Sequence, residues 1–144
     1  MNKIISNFAV IAPVLALAAL LLQRSLFSLS PLVIAAQAVA VGLAIWARRS
    51  FARGQFRVSA APASGGLIKT GAFRVLRHPM YAAALLFVWA AILGHWSVAN
   101  ALIGIALVLV LLIRVPIEER LIQARYPEYG EYARTTKRVI PFLL

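Results

Sequence analysis

Two charged groupings stand out in a chain that is otherwise mostly apolar. The first is the stretch RHPMY, residues 77 to 81, with Arg77 and His78 ahead of Pro79. The second is RVPIEER, in which Arg114 precedes Glu118 by four residues. Nothing between Met80 and Ile113 is Lys, Arg, Asp or Glu. A basic dipeptide at the mouth of so long an apolar run has two readings. It anchors the chain at a membrane edge, or it holds something negatively charged. Pro79 suits the first turn of a helix, where its missing N–H is no loss, and a helix start flanked by cations is a ready anion site. Arg114 and Glu118 share one helix face if the helix continues past Pro116. They form either a local salt bridge with a snorkelling arginine or a pair presented to a polar ligand at the interface.

The composition says what surrounds these groups. Hydrophobic residues make up 62% of the 144, and the mean hydropathy is +0.87. Soluble domains sit nearer 45–50% apolar, so the surplus points to the lipid bilayer. The net charge of +11 raises the question of nucleic acid. Its placement excludes that class: the cations flank apolar runs, and no stretch pairs a basic face with an aromatic stacking platform. Cysteine is absent, which removes disulfides, thiolate nucleophiles and Cys-based metal sites. With His78, His95 and four carboxylates as the remaining inventory, no protein-bound metal is expected.

The elements that must position the charged groups are apolar helices. One runs from Ile4 to Leu22 and a second from Pro31 to Ala47. As a single helix, Met80 to Ile113 would reach about 50 Å against a hydrocarbon core of about 30 Å. It is better read as two spans, broken at GHWSVAN, residues 94 to 100, with Trp96 at the interface. Each is then a little short and borrows flanking residues. The first segment has a second reading as a signal peptide with Lys3 as its basic region.

The expected fold is therefore an all-α integral membrane protein with about four transmembrane helices. Residues 1–144 form a single membrane domain, with two spans in 1–47 and a basic loop in 48–78. Arg48, Arg49, Arg53, Arg57, Lys69, Arg74 and Arg77 lie in or at the edge of that loop, and Arg120, Arg125, Arg134, Lys137 and Arg138 in the tail. The turn near His95 has no Lys or Arg. Excess cations mark the cytoplasmic side, so both termini, the loop and the site are expected in the cytoplasm.

The acids are distributed as unevenly as the cations. Glu118 is the first in the chain, followed by Glu119, Glu128 and Glu131. A hairpin of spans three and four returns the chain to its starting side, bringing Arg77 and His78 to the depth of Arg114, Glu118 and Glu119. Before the dipeptide, GGLIKTGAF (residues 65 to 73) supplies glycines that allow close backbone approach to a ligand. After the hairpin, Tyr126, Tyr129 and Tyr132 are spaced by three. They pack a short helix at the membrane surface or close a pocket.

Taken together, TGAFRVLRHPMY, the apolar hairpin, RVPIEERLI and YPEYGEYARTTKRVIP resemble the shared core of the isoprenylcysteine carboxyl methyltransferase family, to which phospholipid methyltransferases are related. The resemblance covers residues 65–141. It implies an S-adenosylmethionine-dependent membrane methyltransferase with a cytoplasmic cofactor pocket built from the last helical hairpin, the preceding loop and the C-terminal tail. It implies cofactor contacts at Gly65, Gly66, Leu67, Ile68, Phe73, His78, Pro79, Met80, Tyr81 and Glu118. It assigns Arg114 to the methyl acceptor, as substrate-binding and catalytic residue. Phe73 stands where the family has tyrosine, which keeps ring stacking and loses a hydroxyl contact.

The residue inventory suits that chemistry. An ionised carboxylate acceptor needs no general base, so positioning and a dry site supply most of the acceleration. Arg114 can hold such a carboxylate through paired hydrogen bonds. An amine or thiol acceptor would need a proton acceptor, for which Glu119 and His78 are the candidates. The acceptor is expected to be lipophilic and to enter from the membrane, as a prenylated cysteine would. The Ala and Arg content suggests a prokaryotic cell membrane. Two other readings stand beside this one: a nicotinamide-dependent membrane reductase on the same core, and a membrane interaction protein without enzymatic activity.

Overall fold

The computed structural model describes residues 3–51 and 66–139, with side chains from residue 11 onward. The described residues form five α-helices and a short 3₁₀ turn, with no β-strand among them. The helices are α1 (Lys3–Leu22), α2 (Pro31–Arg49), α3 (Pro79–Gly94), α4 (Val98–Arg125) and α5 (Tyr129–Thr135); the 3₁₀ turn spans Gly71–Arg74. Gly65, part of the loop and the end of the tail lie outside the described residues.

Local sequence sets the helix boundaries. Pro31 and Pro79 open α2 and α3 at the first helical position. Arg48 and Arg49 end α2, where cations complement the negative end of the helix dipole. Ser97 caps α4 by accepting a hydrogen bond from the Asn100 N–H at 3.1 Å. The expected break after Gly94 is therefore a capped turn.

The far end of α4 meets the condition set for Arg114 and Glu118 to share one face. The helix runs unbroken to Arg125 with Pro116 inside it. Proline costs one backbone hydrogen bond within a helix. Here the ion pairs and packing of residues 114–119, described below, hold the turns on both sides of it.

Helix α3 lies at the centre, packed on α2, α1 and α4. The core gathers Ala16 and Leu20 from α1, Leu26 from the connection between α1 and α2, Val88, Ala91 and Ile92 from α3, and Leu107 and Leu111 from α4. Gly104 sets the spacing of α3 and α4. A Cβ there would stand 2.6 Å from Ile92 Cδ1 and 2.9 Å from Trp89 Cζ2. Outside this core the helices present large apolar side chains. Leu22, Leu32 and Val98 are 85%, 83% and 75% exposed, the reverse of a water-soluble surface.

Helices α2 and α4 are long and apolar enough to cross a membrane. Helix α3, at 16 residues, reaches about 24 Å and falls short of a hydrocarbon core of about 30 Å.

Candidate active site at the Arg77–Tyr81 helix start

The local structure around Arg77 comes from three chain segments. Gly71 opens the 3₁₀ turn with φ of +59°. A Cβ at that position would meet Ser50 Oγ at 2.1 Å, so only glycine lets the turn sit on the end of α2. Ser50 Oγ accepts from the Ala72 N–H at 3.0 Å and fixes that contact. The Phe73 ring stands edge-on to Phe51, with centroids 5.0 Å apart.

The tail then returns alongside. The Arg77 N–H donates to the Lys137 carbonyl at 2.7 Å, the His78 N–H to the Arg138 carbonyl at 2.9 Å, and the Lys137 N–H to the Val75 carbonyl at 3.1 Å. This is a single parallel bridge between Leu76 and Lys137. The Tyr132 hydroxyl donates to the Phe73 carbonyl at 2.6 Å, and burial pushes its pKa up to about 12. Tyr129 and Tyr132 are both buried on α5. Tyr126 instead caps the end of α4, so the three tyrosines do not line one short helix. Their packing role is the one found for Tyr132.

The question raised by the basic dipeptide has a direct answer. It holds carboxylates, and they are the chain's own. His78 caps α3 and lies between Glu118 and Glu119, with Nδ1 3.9 Å from Glu118 Oε2 and Nε2 3.4 Å from Glu119 Oε1. Arg77 Nη1 lies 3.3 Å from Glu119 Oε1, and Arg138 Nε donates to Glu119 Oε2 at 3.0 Å. The backbone N–H groups of Arg77 and His78 are spent on the tail, and those of Tyr81 and Ala82 on the His78 carbonyl. This helix start therefore gathers negative charge mainly through side chains.

One α-helical turn inward, a second cluster forms on the neighbouring face of α4. Tyr81 donates from its hydroxyl to Glu118 Oε2 at 2.9 Å and accepts there from Arg114 Nε at 2.5 Å. Arg114 Nη2 closes the ring at 3.4 Å from Glu118 Oε1. The His78 ring stacks on Tyr81 with centroids 5.5 Å apart. Arg114 is only 6% exposed, so its charge must be compensated within the protein. Glu118 and the Tyr81 hydroxyl do this.

The residues implied by the resemblance thus fall into groups. His78, Tyr81, Arg114 and Glu118 meet in one cluster, on a frame set by Pro79. Phe73 joins the frame through its carbonyl. Met80 is partly buried in the first turn of α3. Gly66, in the left-handed region with φ of +89°, Leu67 and Ile68 precede the 3₁₀ turn. None of these three makes a hydrogen bond or ion pair to the cluster among the described residues.

Sequence reasoning left Glu119 and Arg138 without a settled role. Arg77, Glu119 and Arg138 bind the tail to the start of α3. The signal available was the doublet Glu118–Glu119: neighbours on a helix point about 100° apart, so their arginine partners differ, and only His78 stands between the two. Beside Glu119 opens a polar cleft of about 320 Å³, between α5 and the half of α4 beyond Pro116.

The chemistry of the Tyr81 cluster is that of orientation. It offers a carboxylate, a phenol, an imidazole and a guanidinium within a few ångströms, at the end of an apolar hairpin. No thiol is available, and the helices around it are apolar. Comparison with known proteins agrees with this arrangement. No curated protein matches the chain. The sequence model of a family described as phospholipid methyltransferase matches residues 27–129, taking in all of α2, which the motif resemblance does not reach, and stopping at the start of α5. The matched residues contain the whole Tyr81 cluster and well over half of the chain, which belongs to the phospholipid methyltransferase family, within the isoprenylcysteine carboxyl methyltransferase-like group of membrane methyltransferases.

Proposed function

We propose that the protein transfers a methyl group from S-adenosylmethionine to a lipophilic acceptor bearing a carboxylate, at the cytoplasmic edge of a four-span bundle. The observation that carries this reading is the Tyr81–Arg114–Glu118 ring with His78 stacked on it. Family membership supports methyl transfer, and the cation-rich segment between α2 and α3 supports the orientation.

The donor set fits the cofactor. Glu118 and the Tyr81 hydroxyl are acceptors for ribose or amino hydrogens, His78 is a donor for a carboxylate, and Gly66, Leu67 and Ile68 offer backbone. Gly65 and Met80 extend this set, and Phe73 offers a ring for stacking. When bound, the cofactor would supply a methyl group activated on a sulfonium, whose sulfur would leave with the carbon–sulfur electron pair as a carboxylate oxygen took the methyl carbon. No proton moves in that exchange.

Arg114 orients the acceptor carboxylate through its planar guanidinium. Tyr81 and Glu118 hold that guanidinium in place before the acceptor arrives, which lowers the entropic cost of alignment. The apolar walls of α3 and α4 keep water out. An amine acceptor, as on a phospholipid headgroup, would need a proton acceptor. Glu119 is committed to Arg77, His78 and Arg138, which favours the carboxylate reading.

The test is calorimetric titration of detergent-purified protein with S-adenosylhomocysteine, followed by methyl-transfer assays with a prenylated cysteine analogue and with a lipid amine. Binding with methylation of the carboxylate is expected. Absence of cofactor binding overturns the reading, and methylation of the amine alone overturns the acceptor. Orientation is checked separately: a cysteine at position 69 should resist periplasmic labelling and one at position 96 should accept it.

A further inference from the structure

The polar cleft beside Glu119 shares no lining residue with the Tyr81 cluster, which it adjoins through the His78–Glu119 contact. It opens between α5 and the half of α4 that follows Pro116, and Arg77, Arg120, Arg138, Gln123 and Tyr129 stand around it with Glu119. Three guanidiniums there face a single carboxylate. That carboxylate is already engaged: Arg77 and His78 approach one oxygen at 3.3 and 3.4 Å, and Arg138 donates to the other at 3.0 Å. Arg120, exposed at the rim, makes no ion pair among the described residues.

Two buried donors and one carboxylate oxygen at this cleft, the Tyr129 hydroxyl, the Arg77 Nε–H and Glu119 Oε1, lack a hydrogen bond of ordinary geometry. Tyr129 is 4% exposed, yet its hydroxyl makes no hydrogen bond of ordinary geometry, although Glu119 and Arg77 lie beside it. The Arg77 Nε–H is likewise buried without a partner. A buried polar group left unmatched costs free energy. Glu119 Oε1 is the one unmatched acceptor beside them, so donors and cations outnumber acceptors on the wall of this cleft, and a ligand with several acceptor oxygens would complete the set. At about 320 Å³ the cleft is at the small end of ligand sites, suited to a headgroup-sized ion.

Its level in the molecule narrows the ligand class. Arg120 lies six residues beyond Arg114, about 9 Å further along the helix, past the apolar part of α4 that ends at Ile113. This is where the headgroups of a bilayer carrying α4 would lie. We infer that this cleft binds a phosphate oxyanion, with Arg77, Arg120 and Arg138 as cationic partners and the Tyr129 hydroxyl as a neutral donor. A phosphodiester of an acidic lipid and free phosphate share that chemistry. Guanidinium pairs match its oxygens in fork geometry.

The test uses the full chain in a neutral detergent, titrated with inorganic phosphate and with dihexanoyl phosphatidylglycerol. At least one probe is expected to bind. Arg120→Gln and Tyr129→Phe should each weaken that binding by roughly five- to tenfold. Both variants should keep wild-type affinity for S-adenosylhomocysteine, which shows that they remain folded and separates this site from the methyl-transfer reading. Arg134→Gln, on the exposed side of α5 away from the cleft, should leave binding unchanged. Lipid bound at least tenfold more tightly than phosphate assigns the site to a headgroup; equal or weaker lipid binding assigns it to the free ion. The inference is overturned if neither probe binds, if the two cleft variants bind like wild type, or if Arg134→Gln weakens binding as much as they do.

Discussion

Glu118 and Glu119 are consecutive residues on one helix, and they live in different surroundings. Glu118 faces Tyr81 and Arg114, both on the hairpin that carries it. Glu119 faces Arg77 and Arg138, from segments far apart in sequence that meet through the Leu76–Lys137 bridge. A ligand can open the first set by rotating side chains. Opening the second would release the tail from the start of α3. The comparison separates a carboxylate available to chemistry from one that ties the site together.

The largest effect expected from this difference is on stability. Glu119→Gln removes the charge facing Arg77, whose side chain is 13% exposed, and Arg138, at 42%. Breaking a buried ion pair costs about 3–5 kcal/mol. The exposure of Arg138 lowers the expectation to about 2–4 kcal/mol. Glu118→Gln keeps an oxygen toward Arg114 and a partner for Tyr81, and should cost about 1 kcal/mol. Thermal unfolding of both variants in one detergent measures the contrast. Equal losses would mean that the two carboxylates do the same work.

Arg114 sharpens the comparison from the other side. Arg114→Ala should lower methyl transfer by about 100-fold, in the range of losing a preorganised charged contact in the transition state, while S-adenosylhomocysteine affinity changes little. Arg114→Lys should also be poor, because an ammonium cannot reproduce a planar two-point contact. An Arg114→Ala protein that keeps its rate but loses cofactor affinity would move the arginine to the cofactor site.

How far the sequence could be read follows the same division. The hairpin, its break at Gly94 and the meeting of His78, Arg114 and Glu118 were legible, because apolar run length, proline and charge placement are local signals. The unbroken course of α4 through Pro116 was not. A proline inside a helix is decided by tertiary partners, here the contacts of Arg114, Glu118 and Glu119. Nor was the tail's position, since a single parallel bridge between Leu76 and Lys137 leaves no periodic pattern. Glu119 was visible only as one half of a doublet, and its separate role depended on where Arg138 landed.

Cofactor affinity comes next in size. His78→Ala and Glu118→Gln should each weaken S-adenosylhomocysteine by roughly 5- to 30-fold, the equivalent of about 1–2 kcal/mol. Glu119→Gln, where it remains folded, should weaken it less. Calorimetry on the three variants orders them. Cofactor binding that follows Glu119 and ignores Glu118 would reverse the assignment of the two faces.

The smallest effect expected is that of Tyr81→Phe, and it tests whether the Glu118 side acts as one unit. The hydroxyl accepts from Arg114 Nε and donates to Glu118 Oε2, while the direct contact of Arg114 with Glu118 is long, at 3.4 Å. Phenylalanine keeps the ring stacked on His78 and removes only the bridge. The loss in cofactor affinity should be about two- to fivefold, within the usual net worth of one hydrogen bond. The useful quantity is the coupling with Glu118→Gln, because residues sharing a hydrogen-bond network are not additive. If the hydroxyl acts by holding Glu118, the double variant should bind no more weakly than Glu118→Gln alone. Fully additive losses would show that Tyr81 meets the ligand independently, and that the ring seen in the structure is one arrangement of separate contacts.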